Sequence, residues 1–75
     1  MDRFEKAAQI LGMTIEEAKL SFEDLPEDQA MYFWNPLIGG GAVIIGEDGD
    51  CLFADSSIGF EDHIAEYKAG KRSAI

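Results

Sequence analysis

The residues of this chain best suited to covalent chemistry are its only cysteine and its only histidine, Cys51 and His63. A thiol beside an imidazole makes a nucleophile–base pair, with Asp55 or Asp62 placed to orient the ring. Cys51, however, follows Glu47, Asp48 and Asp50, and neighbouring carboxylates suppress the thiolate that such chemistry needs. The sequence therefore favours a half-buried strand cysteine and a surface histidine. Glu47, Asp48 and Asp50 concentrate hard oxygen ligands at one turn, but the flanking residues read as strands, not as the helix–loop–helix of a calcium site. Gly39-Gly40-Gly41 lacks both the following helix and the lysine of a phosphate-cradling loop. One cysteine excludes an internal disulfide and the multi-cysteine zinc patterns. No cofactor, no metal and no catalytic set is expected.

Charge is more informative. Fifteen acidic against six basic residues give a net charge of −9, and no Lys or Arg occurs between Lys19 and Lys68. That stretch holds eleven carboxylates, from Glu23 to Glu66. Phosphate backbones and anionic bilayers both need cations to neutralise them, so nucleic acid and membrane surfaces are excluded as partners. The eighteen uncharged residues Gln29–Gly46 approach a membrane span in length, but Asn35, Pro36 and the glycines break them. The first residues lack the apolar stretch of a signal peptide. A cytoplasmic protein is expected.

Seventy-five residues make a single small domain, 1–75. Phe4, Ala7, Ala8 and Leu11 form one helical stripe ended by Gly12. Thr14-Ile15-Glu16-Glu17 is a capping box for a second helix, whose face continues through Ile15, Ala18, Phe22 and Leu25 to Pro26. Residues 1–25 thus read as a helical pair. Residues 30–54 read as a meander: an aromatic strand Ala30–Trp34, a glycine-rich loop Leu37–Gly41, an apolar strand Ala42–Ile45, an Asp-Gly hairpin turn, and a strand Cys51–Ala54. Residues 60–70 read as a C-terminal helix carrying Phe60, Ile64 and Tyr67, and the tail from Lys71 is expected to fray. The fold class is α+β: two N-terminal helices, a three-stranded antiparallel β-meander and a C-terminal helix packed on one face. The expected core draws on Phe4, Leu11, Ile15, Phe22, Val43, Ile45, Leu52, Ile64 and Tyr67. Tyr32 and Trp34 share one strand face and Phe33 takes the other. With helices on one face only, an aromatic is left near the surface of the other.

The runs Met31-Tyr32-Phe33-Trp34, Gly39 to Gly46, Asp48-Gly49-Asp50 and Phe60 to Tyr67 together resemble small immunity-protein families of bacterial polymorphic toxin systems, over about residues 30–70. The resemblance implies a binding protein that masks a toxin and performs no chemistry. Independently of it, an exposed aromatic beside acidic loops has the composition of an interaction hot spot. The expected partner is a basic protein. Asp48, Asp50, Asp55 and Glu61 would supply charge, and Trp34 or Tyr32 the buried anchor. The alternative is a homodimer that hides the aromatics, with the acidity serving solubility.

Overall fold

The computed structural model of the chain describes residues 2–36, 41–55 and 57–73. Helix α1 (Arg3–Leu11) begins where the Asp2 side chain accepts the Phe4 amide and ends on Gly12, in the left-handed conformation at φ 67°. Helix α2 (Ile15–Leu20) opens on the expected capping box, with Thr14 and Glu17 exchanging reciprocal bonds of 2.9 and 3.1 Å.

The second helix is shorter than the sequence suggests, and this changes the sheet. After Ser21 the chain extends into strand β1 (Phe22–Leu25), followed by a single 3-10 turn over Pro26–Asp28. Strands β2 (Ala30–Trp34), β3 (Ala42–Gly46) and β4 (Cys51–Ala54) follow, and helix α3 (Phe60–Lys68) closes the fold. The sheet is a four-stranded antiparallel meander in the order β1-β2-β3-β4, rather than the three strands expected. Phe22 pairs with Phe33 and Leu25 with Ala30. The glycine-rich loop read at Leu37–Gly41 lies, apart from Gly41, outside the described residues, as does Ser56.

Alternation along the strands divides the apolar residues between two layers. Met31, Phe33, Val43, Ile45 and Cys51 face α1 and α2, where Ala7, Leu11 and Ala18 complete one core, with Phe4 and Phe22 packed against it. Ala30, Ile44 and Leu52 face the other way, towards Tyr67 and Ile64 of α3. Helices therefore cover both faces, which corrects the expectation of an uncovered one. Of the expected core, Leu11, Val43, Ile45, Leu52 and Tyr67 are buried, whereas Ile15 remains 39% exposed.

The two sheet edges differ. At β4 the chain covers its own edge: the Ser73 amide donates to the Cys51 carbonyl at 2.7 Å, and the Phe53 amide donates to the Ser73 hydroxyl at 2.9 Å. The tail expected to fray is thus bound through Ser73. Opposite, the Trp34 amide donates to the Ser21 carbonyl at 3.2 Å. Hydrogen-bonded pairs alternate along an antiparallel ladder, so the Phe22 and Asp24 backbone groups point away from β2.

Candidate functional site

The sheet separates the two residues best suited to covalent chemistry. Cys51 lies buried, not half-buried, in the layer shared with α1, and His63, expected at the surface, is fully buried under α3 on the opposite face, where its ring reaches the Leu52 carbonyl. The His63 Nε2 atom lies 2.7 Å from the Leu52 carbonyl, an acceptor, so Nε2–H is the donor and Nδ1 is left without a partner. The ring also stands edge-on to Tyr32 at 5.5 Å. Among the described residues, no three His, Cys, Asp or Glu side chains are grouped to hold a metal ion.

The six residues expected at a partner interface fall into two groups. Tyr32 and Trp34 stand side by side on β2, their rings 5.9 Å apart, and Phe60 packs edge-on against Tyr32 at 4.6 Å. Burial, aided by the charge of Glu23, pushes the Tyr32 hydroxyl above its ordinary pKa. Asp55 and Glu61 lie at this same end of the sheet, because Ala54 shares a register row with Ala42 and Trp34, and α3 begins there. Asp55 accepts the Ser57 hydroxyl and the Ser57 amide, which hold its carboxyl below the usual range.

Asp48 and Asp50 lie at the other end, on the turn that follows Gly46, whose partner on β2 is Ala30. Four residues of strand, about 13 Å, separate the Ala30 row from the Trp34 row. Asp50 is committed within the chain. It takes an ion pair from Arg72 Nε and accepts the Tyr67 hydroxyl at 3.3 Å. Arg72 also lies over the Tyr67 ring at 3.7 Å and donates to the Tyr67 carbonyl at 2.9 Å. The Arg72 bond holds the Asp50 carboxyl below the usual range, while burial and the charge of Asp50 push the Tyr67 hydroxyl up. These groups wall an open polar cavity of about 620 Å³, with Asp28 and Glu47 on its far side.

This clasp places Arg72 next to Ser73, the residue that covers β4, and so links tail pairing to the charge of Asp50. A carboxyl whose folded pKa is depressed contributes stability above its unfolded value of about 3.9, and loses it as pH falls through the folded value. Acidification below about pH 4 should therefore release the tail, exposing the Phe53 amide to exchange. Asp50→Asn should leave that amide unprotected, exchanging near its intrinsic rate, at every pH. Protection that persists in the variant would disprove the coupling.

The sequence did not reveal a third feature. A groove of about 270 Å³ runs between β1 and α3, with Leu25, Phe60 and Ile64 among its apolar lining. Glu23, Glu27 and Asp28 stand around it, and Lys68 closes one end at 3.6 Å from Glu27 and 3.9 Å from Asp28. The acidic residues were visible in the sequence, but a helix through residue 25 would have scattered them around its circumference. Instead, Glu23 stands on the β1 edge strand, and the 3-10 turn that follows it brings Glu27 and Asp28 beside the same groove.

The fold and these surfaces define an α+β domain with a four-stranded antiparallel sheet between two helical layers. Comparison with protein-family models, curated proteins and solved structures finds no match to the chain. Among the described residues, no helix is long and apolar enough to cross a membrane.

Proposed function

We propose that this chain is a cytoplasmic protein-binding module, of the immunity or inhibitor kind, that masks a basic protein partner. The observation that supports this reading is where the charges stand. Five of the six cations are engaged within the chain: Lys6 on the Gly49 carbonyl, Lys19 over the Phe4 ring, Lys68 on Glu27 and Asp28, Lys71 on Glu66, and Arg72 on Asp50. Glu23, Asp24, Glu47, Asp48, Glu61 and Asp62 are exposed, and no cation among the described residues lies within ion-pairing distance of them.

Such a surface repels itself and attracts a cationic protein, speeding encounter and rejecting acidic competitors. A standard interface of about 800 Å² per partner would cover roughly a sixth of the 4577 Å² surface. Aromatic anchoring by Tyr32, Trp34 and Phe60 beside Glu61 and Asp55 fits such an interface.

The test is capture from the native host by the immobilised protein, repeated at rising salt. A basic protein should be retained at low salt and released as ionic strength rises. Recovery of only the chain's own copies would overturn the reading in favour of a homodimer.

A further inference from the structure

We infer that the partner docks at the β1 edge, as an extended segment that adds a fifth strand to the sheet and places its side chains in the β1–α3 groove. The inference rests on the reading above and assigns the surface and the chemistry of the docking segment. Three observations converge on this edge. The Phe22 and Asp24 backbone groups face away from β2, whereas at the opposite edge Ser73 already occupies the corresponding groups of β4. Beside β1, on the α3 side, lies the groove with Leu25, Phe60 and Ile64 in its wall, and Phe60 is 39% exposed. The carboxylates of Glu23, Glu27 and Asp28 surround it.

Main-chain bonds to Phe22 and Asp24 supply affinity in strand addition, and pockets for alternate side chains supply specificity. Charge complementarity selects the occupant. Side chains two residues apart on an added strand share a face. One apolar side chain would fill the groove, with a Lys or Arg two residues away meeting Glu23 on one side or Glu27 on the other. Lys68 already places an ammonium beside Glu27 and Asp28, which shows that this end of the groove accepts a cation. Acidic side chains on an edge strand also keep uncharged strands off it, so the edge selects for cations as well as for extended backbone.

The probe is a capped heptapeptide with lysine, valine and lysine at its second, fourth and sixth positions and threonine elsewhere, so that the three share one face, titrated into the full chain and followed by amide exchange and chemical shifts. Binding should protect the Phe22 and Asp24 amides and shift Ile64 and Phe60. Glu23→Lys with Glu27→Lys, both exposed and so compatible with folding, should weaken binding at least tenfold. Glu5→Lys with Glu16→Lys, exposed on the opposite layer, should change it less than threefold. Methylating alternate peptide nitrogens should abolish binding while leaving the peptide's charge intact. Equal losses from the two charge-reversed pairs, or binding that survives methylation, overturn the groove and leave the acidic-surface reading standing. A chain that ignores the peptide yet retains a basic protein from host extract does the same. If it retains neither, both readings fall.

Discussion

Phe33→Ala should cost about 3–5 kcal/mol, the usual cost of emptying a fully buried aromatic site. A chain of this length has roughly 4–11 kcal/mol of total stability, so this single truncation removes a large share of it. The cost has a local cause. Phe33 is completely buried on β2, with Phe4 edge-on at 5.6 Å and Phe22 tilted at 6.1 Å. These three rings join α1, β1 and β2, so truncation loosens three elements together. Aromatic pairs add about 0.5–1.5 kcal/mol beyond burial, and two would be lost. Phe53 faces the same side of the sheet from β4 but is 40% exposed, because α1 packs on β2 and β3. Phe53→Ala should therefore cost no more than about 1 kcal/mol. Urea denaturation of the two variants checks the contrast. A Phe33→Ala cost under about 2 kcal/mol would mean that the aromatic cluster does not hold the α1 layer.

The elements that were legible in the sequence are those whose signals are local. The capping box at Thr14, the glycine stop at Gly12 and the Asp-Gly turn each act within four residues, and each occurs where the sequence placed it. Phe22-Glu23-Asp24-Leu25 reads as helix because its apolar spacing of three fits one face of a helix. In a strand the same spacing puts Phe22 and Leu25 on opposite faces, and here both faces are covered, so each enters a different core. Only the existence of a second helical layer makes that pattern a strand, and a layer is a tertiary fact. The six candidate interface residues do not form one patch for the same reason. Acidic residues at 48 and 50 are close in number to Asp55, but the β3–β4 hairpin carries them to the far end of the sheet, where Arg72 has returned from the tail to neutralise Asp50. The C-terminal tail was the least readable part. Arg72 and Ser73 are ordered by a carboxylate, a ring and a strand edge that lie about twenty residues away or fold back from α3.

Gly46→Ala should destabilise the chain by about 1–3 kcal/mol, although nothing in its backbone demands glycine. Gly46 is not among the glycines of positive φ, and alanine in a strand ordinarily gains stability by restricting the unfolded chain. The obstacle is steric. A methyl at this position would stand inside van der Waals contact of Asp50 Oδ1 and the Tyr67 hydroxyl, and 3.1 Å from Asp50 Cγ. Neither group can yield alone. Asp50 is bound to Arg72 and Tyr67, and Tyr67 is buried between the sheet and the Arg72 guanidinium. The methyl should therefore spread the clasp open and detach Ser73 from β4, so that the Phe53 amide loses its protection even in folded molecules. A double-mutant cycle isolates this cause. With Asp50→Ala and Tyr67→Phe already in place, the obstructing oxygens are gone, and Gly46→Ala should become neutral or stabilising by up to about 1 kcal/mol. The sign change is the decisive result, because overpacking against the backbone would cost the same in both backgrounds. An undiminished cost in the relieved background would show that Gly46 answers to the strand itself, leaving the tail clasp without influence on the sheet.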